Sequence, residues 1–121
     1  IDLAPTFMKA AGLIPPETVH GIALQPILSN PSSRSWRKDI LYQYFDGGTR
    51  ENRGPYNMPR HEGIRDTRYK LISFYDYKTW EFYDLKNDPE ELHNLFNQES
   101  MKFEVNRLQK RLRIKKAEFG L

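Results

Sequence analysis

Glu62-Gly63-Ile64-Arg65-Asp66, then Tyr69-Lys70-Leu71-Ile72-Ser73-Phe74-Tyr75, then Trp80-Glu81-Phe82-Tyr83-Asp84-Leu85: these three runs decide the fold. β-Branched and aromatic residues suit a half-buried pleated surface. The runs are joined only by Asp66-Thr67-Arg68 and Asp76-Tyr77-Lys78, links of hairpin length. Upstream, Ile40 to Phe45 has the same character and predicts a further strand. Four consecutive strands with short links favour an antiparallel sheet. Asp46 to Arg60 contains three Gly and two Pro and predicts a long loop, of the kind that carries function.

Outside the sheet the period changes. Asp88-Pro89-Glu90-Glu91 offers an N-cap, a Pro at N1 and acids in the first turn, and predicts a helix through Leu92 and Leu95. A long helix is predicted from about Ser100 to Phe119. Its Met101, Val105, Leu108, Leu112 and Phe119 share one face, which should cover the sheet. Phe103 and Ile114 lie on the opposite side, either as scattered surface residues or as a second contact with a missing domain. At the other end, Asp2 to Ala11 predicts a short helix capped by Asp2 or Thr6, with Gly12 just past its end. Pro15-Pro16 forbids continuation, and Pro26 limits Gly21 to Leu28 to a turn of helix. The fold class is therefore α+β: a four-stranded antiparallel sheet packed by a long C-terminal helix, with a helical piece at the N-terminus.

A chain of 121 residues is enough for one domain and thin for two. Its apolar share, 38 %, lies below the ~45–50 % of ordinary domains. Aromatics at 13 % argue against disorder, so part of the core is expected to belong to residues outside this chain. The start at Ile1 without Met fits a fragment or processed product. No apolar run is long enough to span a membrane, and no membrane partner is expected. The chain lacks Cys, which excludes disulfides, thiolate metal sites and a cysteine nucleophile within it.

Other chemistry is equally sparse. His20, His61 and His93 sit in separate elements without metal-ligand spacing, so no metal site is expected here. No Ser lies in a nucleophile elbow, and Gly47-Gly48 is not a phosphate-binding loop. The net charge of +3 is concentrated from Glu99 onward, where seven Lys/Arg oppose three Asp/Glu. Arg107, Lys110, Arg111, Arg113, Lys115 and Lys116 could neutralise phosphates. They ring the helix, however, and no recognition motif accompanies them, so no nucleic-acid partner is expected. Arg60-His61 is the pair that stands out. It closes the long loop and enters a strand, placing a planar anion-binding fork and an imidazole at the sheet rim. The alternative is a surface ion pair such as Arg60 with Glu62.

The run Arg60-His61-Glu62-Gly63-Ile64-Arg65-Asp66-Thr67-Arg68-Tyr69-Lys70-Leu71 resembles the C-terminal part of type I, formylglycine-dependent sulfatases. Trp80-Glu81-Phe82-Tyr83-Asp84-Leu85 with Asp88-Pro89-Glu90-Glu91-Leu92-His93-Asn94-Leu95 is similar to a second motif of that family. Asp2-Leu3-Ala4-Pro5-Thr6-Phe7 and Gly21-Ile22-Ala23-Leu24 with Pro26-Ile27-Leu28 resemble two more, in the family's order. Within the family, the resemblance is to bacterial glycan sulfatases of the N-acetylglucosamine-6-sulfatase or heparan-sulfatase kind. It implies that residues 1–35 are the tail of an alkaline-phosphatase-like α/β catalytic domain and residues 36–121 the C-terminal subdomain. It places the formylglycine nucleophile and Ca²⁺ in a missing N-terminal catalytic domain, this chain's partner, and leaves no catalytic residue here. Ser29-Asn30-Pro31-Ser32-Ser33-Arg34 mimics the nucleophile motif, but its Arg comes one residue late. The resemblance makes His61, with Arg60, the substrate contacts, the substrate a sulfated carbohydrate, and the location secreted or periplasmic. Two alternatives stay open: part of a related phosphatase or phosphodiesterase, or a stand-alone module binding an anionic glycan or nucleic acid.

Overall fold

The computed structural model describes residues 1–32, 36–45 and 58–121. Two compact units divide the chain, Ile1–Arg37 and Lys38–Leu121. Of the loop expected over Asp46 to Arg60, only Met58, Pro59 and Arg60 fall within the described residues.

In the first unit, α1 spans Leu3–Ala10 and α2 spans Gln25–Ser29. Neither expected side-chain cap forms on α1. The Asp2 carboxylate instead accepts the Ile22 N–H at 2.9 Å and pairs with Arg37. The Thr6 hydroxyl donates to the Asp2 carbonyl and accepts the Leu24 N–H. Both polar groups tie α1 to the segments that follow it. Gly12 does end the helix, at φ +75°, a conformation that costs Gly little.

In the second unit, β1 (Asp39–Tyr44), β2 (His61–Asp66), β3 (Tyr69–Phe74) and β4 (Thr79–Asp84) form an antiparallel sheet in sequential order. Each strand lies within a residue of its expected bounds. The β2–β3 turn is fixed by Asp66, whose Oδ1 accepts the N–H groups of Arg68 and Tyr69 at 2.8 and 2.6 Å. Helix α3 (Lys102–Glu118), preceded by one 3₁₀ turn at Glu99–Met101, packs on one face. Its Val105, Leu108 and Leu112 join Ile64, Tyr69, Leu71 and Phe82 in the core, with Met101 and Leu41 packed at the margin. Phe119 sits at the C-terminal end of the helix, outside that core, and carries the Lys115 ammonium over its ring at 5.7 Å. Phe103 and Ile114 are exposed.

The helix expected over Asp88 to Leu95 does not form. Asp88 accepts the N–H groups of Leu92 and His93, as a cap would. Glu91, however, takes φ +58°, which turns the chain out of a right-handed helix. The segment then runs along the edge of β4. Asn94 accepts the Phe82 N–H at 3.0 Å and donates to the Trp80 carbonyl at 3.2 Å, and the Leu95 N–H reaches the Phe82 carbonyl at 2.8 Å. The unpaired groups of an edge strand are thereby covered.

Four of the helix cations are ion-paired to the sheet, Lys115 among them at 3.8 Å from Asp39. Arg107 meets Asp66 at 2.7 Å, Arg111 meets Asp39, and Lys116 meets Glu62 at 2.7 Å. Asp39 and Asp66 are directly opposite across β1 and β2, where like charges repel. The two arginines neutralise that pair and hold the helix to the sheet.

Candidate functional site

The rim where β2 begins gathers the residues that stand out in the sequence. His61 is the first residue of β2, opposite Tyr44 on β1 and Phe74 on β3. Its ring lies 5.5 Å from both of theirs, near-parallel to Tyr44 and tilted to Phe74, while Tyr42 meets it edge-on at 6.0 Å. Nδ1 is 2.9 Å from the Pro59 carbonyl. A carbonyl only accepts, so this contact holds a proton on Nδ1. Nε2 is then an acceptor in the neutral ring and a donor only in the imidazolium.

Arg60 extends the ladder by one step: its carbonyl accepts the Tyr75 N–H at 3.0 Å. Its guanidinium pairs with Asp76, Nη2 at 2.6 Å and Nε at 3.2 Å, so the ion pair with Glu62 does not form. The Asp76 carboxylate holds the Arg60 pKa above its ordinary value. Strand alternation puts Arg60 and His61 on opposite faces. Arg60 lines a groove of about 380 Å³ with Gln43, Phe45, Tyr75, Lys116 and Leu121; His61 does not.

Glu62, between the sheet and α3, is only 6 % exposed. It accepts hydrogen bonds from Tyr75 Oη at 2.7 Å, Lys116 Nζ at 2.9 Å and Gln43 Nε2 at 3.3 Å. Burial alone would raise its pKa, but the bonds from Lys116, Tyr75 and Gln43 outweigh it and the value is lowered. Burial and the bond to Glu62 push Tyr75 up to about 12. This network, the Asp76 partner of Arg60 and the rings around His61 lie outside what the sequence motifs single out. Strand register, which the short β2–β3 link constrains, is the signal that could pair His61 with Phe74; Tyr44 comes from across the long loop, where no hairpin length sets the register.

Trp80 stacks on Phe96 at 6.0 Å against the core, a packing role. Tyr69 stacks on Phe82 in the core, and Lys70 pairs with Glu91 at 2.5 Å. Among the described residues, no group of three or more His, Cys, Asp or Glu is placed to hold a metal ion. Ser33 and Arg34 of the nucleophile-like segment lie outside those residues.

The same small antiparallel sheet with one long helix across it recurs in solved structures of larger hydrolases. A phosphonate monoester hydrolase from Silicibacter pomeroyi shares this fold at TM-score 0.78 and 19 % identity, over 97 % of this chain and 24 % of that one. A family model described as N-sulphoglucosamine sulphohydrolase, C-terminal, matches residues 1–118, and the chain belongs to that sulfatase family. It is 40 % identical over 99 residues to an N-acetylglucosamine-6-O-sulfatase of Bacteroides thetaiotaomicron, covering 79 % of this chain and 17 % of that protein. A structure solved with its substrate, D-glucosamine-2-N,6-O-disulfate, matches 98 % of this chain and 24 % of its own at TM-score 0.89 and 34 % identity. The chain thus spans about a sixth to a quarter of the length of these relatives.

Proposed function

We propose that this chain is the C-terminal part of a sulfatase that hydrolyses sulfate esters of a sulfated carbohydrate, and that it shapes the substrate pocket. The observation that carries the reading is the family match over residues 1–118 together with 40 % identity to a glucosamine sulfatase. Residues 1–35 are read as the tail of the catalytic domain and 36–121 as the C-terminal subdomain. The chain has no Cys, and its described residues offer no clustered acidic set for calcium. Formylglycine and Ca²⁺ are assigned, on the family resemblance, to the N-terminal domain.

The contribution of this chain is recognition. His61, wedged among aromatic rings with its Nδ1 proton directed at Pro59, presents Nε2 to accept a sugar hydroxyl proton. On protonation the same atom donates to a sulfate oxygen. Arg60, steadied by Asp76, keeps a guanidinium edge for an anion. The parent protein is read as secreted or periplasmic. The test is expression of the full reading frame containing this chain, with sulfate release measured from N-acetylglucosamine 6-sulfate. Release is expected from the long protein and none from the 121-residue chain. Turnover of a phosphonate monoester with no sulfate release would overturn the reading.

A further inference from the structure

We propose that the outer edge of β1 receives a further strand from the N-terminal domain of the parent protein, joined to it by main-chain hydrogen bonds. The proposal rests on the sulfatase reading above, which gives the parent that domain.

The hydrogen-bond phase of the sheet fixes which groups face outward. The Tyr75 N–H bonds the Arg60 carbonyl, so along β2 Glu62 and Ile64 bond β3, while His61, Gly63 and Arg65 bond β1. Their partners on β1 are Tyr44, Tyr42 and Ile40. Asp39, Leu41 and Gln43 therefore turn their N–H and C=O groups away from the sheet. The same phase carried to β4 turns Trp80 and Phe82 outward, and it is their main-chain groups that Asn94 and Leu95 cover. The chain thus supplies a cover for the β4 edge. Among the described residues, no hydrogen bond reaches the outward main-chain groups of Asp39, Leu41 or Gln43.

Nor does β1 carry the devices that keep an edge from pairing. It holds no Lys and no Pro, and it pairs with β2 over its whole length without a bulge. Leu41 packs at the margin of the core under α3, so Ile40 lies on the helix-free face, where it is 50 % exposed. An added strand with apolar residues on that face would cover it. The occupant follows from what lies outside these residues. The chain spans about a sixth to a quarter of its relatives' length, and its apolar share of 38 % is below that of ordinary domains. One strand edge buries too little area to hold a second copy, whereas a segment of the same chain is already tethered nearby.

The test is hydrogen exchange of the long protein, read at single amides. Leu41 and Gln43 should exchange at least roughly a hundredfold more slowly than unstructured chain, as Tyr42 and Tyr44 do through β2. Leu41→Pro removes one outward N–H and spares the bonds to β2, and Leu41→Ala trims the side chain but keeps that N–H. Leu41→Pro, and not Leu41→Ala, should speed exchange along an extended stretch of the N-terminal domain. Fast exchange at Leu41 and Gln43 beside slow Tyr42 and Tyr44 would overturn the proposal. So would protection that fades on dilution, the mark of a second copy, or Leu41→Pro effects confined to residues 1–121. Fast exchange at this edge in a long protein that releases sulfate removes the added strand and leaves the sulfatase reading standing.

Discussion

Gly63→Ala should destabilise the second unit, and Tyr42→Phe should partly restore it. Gly63 sits in β2 opposite Tyr42 and Ile72. A Cβ there would collide with the Tyr42 hydroxyl and ring and come within 2.5 Å of the Leu71 carbonyl. The carbonyl belongs to β3 and cannot move without disturbing that strand. Overpacking of this kind costs about 1–3 kcal/mol. Ala recovers about 0.5–1 kcal/mol relative to Gly in a strand, so the net loss is about 0.5–2 kcal/mol. For a domain of this size that lowers Tm by roughly 2–15 °C. The Tyr42 hydroxyl is buried with no hydrogen-bond partner among the described residues, so Tyr42→Phe alone should be neutral or slightly stabilising. In the double variant the nearest colliding atom is gone while the Leu71 carbonyl remains, and about half the loss should return. Thermal unfolding of the four proteins by near-UV circular dichroism gives the cycle. An unchanged Tm in Gly63→Ala, or strict additivity in the double variant, would refute the reasoning.

Three more outcomes rest on the same packing. Leu108→Ala, at a fully buried core position, should cost about 2–5 kcal/mol, whereas Phe103→Ala at an exposed one should stay within about 0.5 kcal/mol in denaturant unfolding. Asn94→Ala removes three hydrogen bonds, with both the strand β4 and Phe96, and should cost about 1–3 kcal/mol, with faster amide exchange at Phe82. Glu62, Asp66 and Asp84 have lowered pKa values in the folded chain. Against ordinary values of 4.5 for Glu and 3.8 for Asp, the unfolded chain binds protons first as pH falls. Their stabilisation is therefore full above about pH 5 and lost as pH drops through the folded values, which a Tm series from about pH 7 to pH 2 would show.

The sheet was legible because its strands carry a local signal: aromatic and β-branched runs broken by hairpin-length links. The C-terminal helix was legible through Val105, Leu108 and Leu112, whose spacing marks one face. The segment from Asp88 to Leu95 was not, because its start signal is genuine and is overridden downstream. Glu91 leaves the helical region, and Asn94 finds better partners on β4 than a helix would give it. At the site, the sequence pointed to Arg60 and His61 but not to their separation by strand alternation. Nor did it reveal Asp76, which reaches Arg60 from the far side of a hairpin.

The most direct measurement is sulfate release from N-acetylglucosamine 6-sulfate by the long protein and its His61→Ala variant, with Tm recorded for both. The account predicts turnover by the parent and a variant that folds normally but loses roughly tenfold in kcat/KM, about one hydrogen bond's worth of recognition. A parent that releases no sulfate, or a folded variant with unchanged kcat/KM, would contradict it.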